Sequence, residues 1–339
     1  MSCYDYTYGE ELQPMKYAII SDIHGNSHAF RAVLADAEKN GADAYLLLGD
    51  YASSFPWGND VVNAMRELAA TKRVTAIAGN GEGYFEGLRG QTDFSHEQFK
   101  PVYWSYLALS AENLDYLSTL PETAVVQDPD SNTKIHLNHD TPIFYRKNSP
   151  QIELFHPRNF RDLMRKKKFS HEEYLTQARD ALLSRDDAMA EINALPDGVH
   201  LFGHNHLQFH TRFGENGNKL FINPGSCGEP LDFNPTASYT LLSLTANDAK
   251  NETAVEERRV QYDRRAAAEA LAASEFTAYA PVWSNIMKKE LETGIDHFGI
   301  FVRHIRETGL AMGVPENHSR PASPEVWNQA VKTWDTEKI

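Results

Sequence analysis

Cysteine is nearly absent from this chain, with only Cys3 and Cys227 in 339 residues. Two thiols so far apart cannot form a disulfide framework, so the fold must rest on a packed core. Such usage fits a reducing compartment, and a cytoplasmic location is expected. Long apolar runs are missing as well, since none approaches the ~20 residues of a membrane-spanning helix. The segment from Met1 to Pro14 is polar and acidic (Asp5, Glu10, Glu11). It lacks the basic and apolar regions of a secretory signal. Positive charge is scarce: 33 Lys and Arg face 47 Asp and Glu, a formal net charge of −14. That balance argues against non-specific binding to nucleic acid or to an anionic membrane. A phosphate-bearing small molecule stays open as a substrate, because cations held in one cleft reverse the local field. No internal repeat is evident.

Apolar residues make up 41% of the chain, enough for a sizeable core in one large domain with additions or in two domains. From Lys16 to Asn80 strands and helices alternate. Strands are expected at Tyr17–Ile20, Tyr45–Leu48 and Val74–Ala78, and helices at Ser27–Lys39 and Asp60–Ala70. This order predicts parallel strands with right-handed crossovers. A further helix, Ala111–Leu120, stops at Pro121. Short strands then dominate: Thr123–Val126, Thr133–Leu137, His200–Phe202, Leu207–Phe213, Leu220–Ile222, Tyr239–Leu244 and Thr253–Val260. The Gly-Glu-Asn-Gly-Asn segment between two of them is a hairpin signal. Two facing sheets with outer helices are expected.

The insertion from 143 to 197 carries two helical stretches. Arg158–Phe169 is strongly basic, and His171–Ala194 alternates acidic and apolar residues. From Arg264 onward the chain is again helical. These features divide it into a unit of 15–262, with the insertion as a cap, and an extension of 263–339.

Seven polar residues stand just after short apolar runs: Asp22 and His24, Asp50, Asn80, His139, and His204 with His206. Strand ends are where a rigid sheet can converge side chains on one point. His136 competes with His139, but strand alternation and the loop position favour His139. A mixture of carboxylate, amide oxygen and imidazole suits two borderline-hard divalent cations better than one structural zinc. A central Asp such as Asp50, with two oxygens, can bridge both.

These residues resemble the calcineurin-like metallophosphoesterases, and within them a compact bacterial and archaeal phosphodiesterase-like branch. The shared pattern is Asp22-Ile23-His24-Gly25-Asn26, Gly49-Asp50, Gly79-Asn80, His139 and Gly203-His204-Asn205-His206, with Asn223-Pro224-Gly225-Ser226 as a further turn. The resemblance spans about Lys16 to Tyr262. It implies an α/β fold, a four-layer α/β/β/α sandwich, here with a helical insertion and a helical C-terminal extension. It also implies two divalent metal ions, whether manganese, iron, zinc, cobalt or nickel. One would be held by Asp22, His24, Asp50 and His206, the other by Asp50, Asn80, His139 and His204. A bridging hydroxide would attack phosphorus in line, with Asp50, His139 and His204 at the reacting centre.

Two departures bear on the substrate. Gly81, followed by Glu82, stands where the protein-phosphatase branch has a histidine acid, and the loop after Asp50 has no arginine. Both turn the expectation toward a phosphodiester or nucleotide-type ester. A phosphomonoesterase, a protein phosphatase, or a silent binding protein that kept the fold are the alternatives. Secondary expectations place His28 as a proton donor and Asn26, Asn80, Arg165 and Lys167 as substrate contacts. Phe55 and Trp57 would either stack on a substrate ring or pack the loop. The tail would pack on the sandwich or on a second subunit, leaving a homo-oligomer open.

Overall fold

Side chains in a strand point alternately to its two faces, and Tyr17–Ile20 shows what each face meets. Ala18 and Ile20 pack with helices, whereas Tyr17 and Ile19 pack against a second sheet. The computed structural model describes residues 14–140, 170–247, 250–315 and 321–335. In the first sheet, β1 (Lys16–Ile20), β2 (Ala44–Leu47) and β3 (Arg73–Ala76) run parallel. The hairpin of β9 (Ala237–Asn247) and β10 (Lys250–Val260) adds antiparallel to β1, giving the order β10-β9-β1-β2-β3. The second sheet has the order β4-β5-β6-β8-β7. Its β5 (Lys134–Asn138), β6 (Gly198–Leu201) and β8 (Lys219–Pro224) are parallel, with β4 (Thr123–Gln127) and β7 (Gln208–Phe213) antiparallel at the edges.

The sheets meet through Tyr17, Ile19, Leu46 and Leu48 on one side and Ile135, Leu137, Val199, Leu201, Leu220 and Ile222 on the other. Each fully buried aliphatic side chain contributes about 1.5–3 kcal/mol. The alternate residues of the second sheet, His136, His200 and Phe221, are register neighbours and stack ring on ring at 4.9 and 5.0 Å. His136 therefore belongs to the far face of β5, away from the inter-sheet core. The two mixed sheets are flanked by helices, which is the expected α/β sandwich.

Helix α1 (Ser27–Lys39) begins where Asn26 Oδ1 accepts the Ala29 N–H, and it buries Phe30, Val33 and Ala37. Helix α2 (Gly58–Thr71) starts two residues earlier than its periodicity implies. Helix α3 (Asn80–Leu88) was not expected: Gly81, Gly83 and Gly87 are poor helix formers and mask its periodicity. Helices α4 (Lys100–Ala108) and α5 (Ala111–Ser118) follow. The expected single helix His171–Ala194 is two, His171–Leu183 and Asp186–Ala194, because Arg185 takes an extended backbone (φ −120°, ψ 112°). The basic stretch Arg158–Phe169, including Arg165 and Lys167, lies outside the described residues.

The C-terminal helices, from Arg264–Ala273 to Pro324–Thr333, enclose an aromatic-rich core containing Trp283, Phe301 and Trp327. Phe55, from the loop after Asp50, is buried within that core, and Trp57 packs beside it, its ring parallel to that of Phe55 at 6.0 Å. The helical tail thus packs on the sandwich. Of the two roles open to Phe55, loop packing is the one observed.

Candidate metal centre

All six parallel strands of the two sheets end on the same side of the molecule. Beyond β1 come Asp22 and His24, beyond β2 Asp50, beyond β3 Asn80, beyond β5 His139, and beyond β6 His204 and His206. Five of these residues have left-handed backbone: Asp22 (φ 53°), His24 (50°), Asp50 (56°), His204 (66°) and His206 (57°). Each such residue costs on the order of 1 kcal/mol or more, and persists where surrounding structure fixes it for function. Two glycines permit the approach of the loops. A Cβ on Gly49 would lie 2.5 Å from Gly79 N, and one on Gly79 would lie 2.3 Å from Asp50 Oδ1.

The side chains gather into two overlapping groups. In one, His24 Nε2 and His206 Nε2 are 3.1 Å apart, and Asp22 Oδ1 lies 3.8 and 3.4 Å from them. In the other, Asn80 Oδ1 lies 3.1 Å from His139 Nε2 and 2.8 Å from His204 Nδ1. Asp50 joins the two: its Oδ2 is 3.8 Å from His24 Nε2 and 3.5 Å from His139 Nε2. Its other oxygen, Oδ1, accepts the Gly81 N–H at 2.6 Å. Asp22 also lies near Asp50 and His139, so it borders both groups rather than the first alone.

The donor set fits divalent cations. His139 Nδ1–H donates to the Leu48 carbonyl at 2.7 Å, and His206 Nδ1–H donates to the Glu229 carbonyl at 2.6 Å. Those carbonyls leave each Nε2 lone pair facing other acceptors, an arrangement that calls for positive charge between them. A histidine whose second nitrogen donates to a backbone carbonyl is the usual outer support of a metal ligand. His24 Nδ1 lies 3.1 Å from Ser53 Oγ, a hydroxyl able to accept its proton.

Without a cation, protons take that place. Burial lowers the pKa of His24, but the charges of Glu229, Asp50 and Asp22 outweigh it and hold it up at about 10. For His139 burial is likewise outweighed, chiefly by Asp50, and its pKa is also about 10. Burial, reinforced by His139, pushes His204 down to about 4. Burial would raise the Asp50 carboxyl, yet His139 holds it well below the usual carboxylate range.

Two acidic residues of the site escaped the sequence reading. Buried Glu82 accepts three backbone N–H groups: Gly79 at 2.8 Å and Asp50 at 2.9 Å through Oε2, and Tyr51 at 2.9 Å through Oε1. It clamps the end of β2 to the start of α3. Glu229 lies beyond β8 with Oε2 3.6 Å from His24 Nε2. The turn Asn223-Pro224-Gly225-Ser226 before it carried the same strand-end signal as the other ligands. Two further expected site residues, Asn26 and His28, have other partners. Asn26 is fully buried, with its amide hydrogens committed to the Gly228 carbonyl (2.8 Å) and Tyr262 Oη (3.2 Å), which leaves no donor for a substrate. His28 meets Trp57 edge to face at 4.9 Å, and among the described residues no hydrogen bond links it to the ligand residues. Its pKa is lowered by partial burial and by Arg31.

At Gly81 a Cβ would lie 2.9 Å from Ser53 Oγ and 3.0 Å from Asp50 Oδ1. The Ser53 hydroxyl thus stands where a side chain at that position would begin.

A sequence model of the calcineurin-like phosphoesterases matches residues 15–229. An uncharacterized protein of Methanocaldococcus jannaschii, MJ0912, is 25% identical over 266 residues, covering 74% of this chain and 90% of that protein. Among solved structures, a metallophosphoesterase from Sphaerobacter thermophilus superposes with a TM-score of 0.54 at 21% identity, over 83% of this chain and 100% of its own. Hypothetical protein PH1004 from Pyrococcus horikoshii OT3 gives 0.54 at 16% identity, over 79% and 97%. These two likenesses concern the fold. The family match covers well over half of the chain and ends at Glu229, so it takes in every residue of the centre described above. The chain belongs to the calcineurin-like phosphoesterase family, whose members bind divalent metal ions.

Proposed function

We propose that this protein is a two-metal phosphoesterase that hydrolyses a phosphodiester or a nucleotide-type phosphoester. The observation that carries the reading is Asp50 Oδ2, placed between the His24–His206 pair and the His139–Asn80–His204 group. Asp22, His24, Asp50 and His206 would hold one ion, and Asp50, Asn80, His139 and His204 the other. Two such ions lower the pKa of water, clamp phosphoryl oxygens and neutralise developing charge.

The chain's own residues set the conditions for that chemistry. Gly81 N–H holds Asp50 Oδ1 and Glu82 holds the Asp50 backbone N–H, so the shared Oδ2 is preorganised. The carbonyls of Leu48 and Glu229 fix the tautomers of His139 and His206. Gly81 supplies no acid, so a leaving group that needs little protonation is favoured. Arg165 and Lys167 of the insertion are proposed as phosphate contacts. Residues 15–262 would form the catalytic unit, braced by the helices of 263–339.

The test is a metal-dependent screen of aryl phosphodiesters, aryl phosphomonoesters and dinucleoside polyphosphates. Diesters or polyphosphates should be cleaved at least as well as monoesters, and a strong monoester preference would contradict the reading from Gly81. Replacing Arg165 and Lys167 by Ala should raise KM for the best substrate. An unchanged KM would remove both from the substrate site.

A further inference from the structure

Five of the six parallel strands deliver the ligand residues expected from the sequence, and the sixth, β8, delivers Glu229. We propose that Glu229 is an additional ligand of the first cation, its carboxylate joining Asp22, His24, Asp50 and His206. The inference rests on the two-metal reading and extends it by one residue.

Distance is the first support. Bonds of ~2.0–2.2 Å from a metal to nitrogen and oxygen place neighbouring ligand atoms about 3 to 4 Å apart. Glu229 Oε2 is 3.6 Å from His24 Nε2, closer than Asp22 Oδ1 or Asp50 Oδ2, both at 3.8 Å.

The main chain gives the second. The Glu229 carbonyl accepts His206 Nδ1–H at 2.6 Å, and its N–H donates to Ser226 Oγ at 2.8 Å. Ser226 Oγ in turn donates to the Asp22 carbonyl at 2.7 Å, and Gly228 N–H donates to the same carbonyl at 3.0 Å. Glu229 is thereby locked to two other ligands, and its backbone cannot move without moving them.

Charge is the third. The Glu229 side chain is 7% exposed, and among the described residues its ion-pair partner is His24, with no Lys or Arg beside it. A buried carboxylate is costly unless positive charge stands beside it. A proton on His24 supplies that charge in the metal-free chain, and a divalent cation at the His24 nitrogen supplies it when that proton is displaced. With Glu229 included, the first ion meets three carboxylates and two imidazoles. Such an oxygen-rich, anionic set suits manganese or iron better than zinc.

The test is metal binding by the full chain, stripped with chelator and titrated with MnCl2 by calorimetry, with bound metal counted by mass spectrometry. The wild type should bind two Mn2+ per chain, and Glu229→Gln should lose one of them or weaken it by at least about tenfold. A Gln variant that binds both ions within about twofold of wild type would overturn the ligand assignment alone. A wild type that binds no Mn2+ would overturn the metal centre and this proposal with it. Anomalous diffraction from Mn2+-soaked wild-type crystals checks the point without any variant. A Glu229 oxygen within about 2.4 Å of an ion confirms it, and a separation beyond about 3 Å overturns it.

Discussion

His24 and His206 turn their Nε2 atoms toward one another across 3.1 Å, while the Nδ1 of each is held by the protein, by Ser53 Oγ and by the Glu229 carbonyl. Two imidazoles so arranged share either a proton or a metal ion. The competition between those two occupants sets the pH behaviour of the protein.

In the metal-free chain His24 and His139 have folded-state pKa values of about 10, above the ordinary 6.5. Their stabilising contribution is complete below pH 6.5 and is lost as pH rises toward 10. Metal ions must displace these protons, so affinity should rise across the same window by about one log unit per pH unit for each proton released. Calorimetry from pH 6.5 to 9 checks this. Thermal melts should show the metal-free chain losing stability with rising pH and the loaded chain holding it. A flat affinity profile would contradict the assignment of these two imidazoles.

Replacing Asp50 by Asn removes charge from the oxygen that faces both groups. Turnover should fall on the order of 10³-fold or more, and bound metal should fall below two ions per chain. Normal kcat with full metal content would remove Asp50 from the bridging role.

Glu82 touches no ligand side chain, yet three backbone amides depend on it. In Glu82→Ala the buried Asp50 and Tyr51 amides lose their partner, at roughly 1–3 kcal/mol each, and the part-buried Gly79 amide loses its own. Denaturant unfolding should show a loss of at least about 2 kcal/mol, with turnover impaired through misplacement of Asp50. Unchanged stability would mean that water replaces the carboxylate.

Phe55 ties the loop after Asp50 to the core of the C-terminal helices. Phe55→Ala should cost about 3–5 kcal/mol, as large-to-small changes in a packed core do, and should lower kcat because the same loop carries Ser53 and Ser54 beside His24. Calorimetric melting and steady-state kinetics on one preparation measure both effects. Full activity with reduced stability would show that the loop keeps its shape without the extension.

By itself the sequence determined the alternating strand–helix order of the first half, the strand-and-turn texture of the second, and the order of the ligand residues after their strands. Those features are local: side-chain period, turn chemistry and a polar residue at the end of an apolar run are all read within a few residues. Tertiary structure decided what depends on contact between distant segments. Asn26 reads as a loop donor until the chain folds and commits its amide to Gly228 and Tyr262. Neither Glu82 nor Glu229 is itself marked as a site residue by the sequence, and the fold buries both at the centre. Helix α3 was hidden by Gly81, Gly83 and Gly87, of which Gly81 lies against Asp50. Only the fold brings carboxylates of residues 22, 50 and 229 within 3.8 Å of His24 Nε2, and a buried carboxylate acquires a role from the charges placed around it.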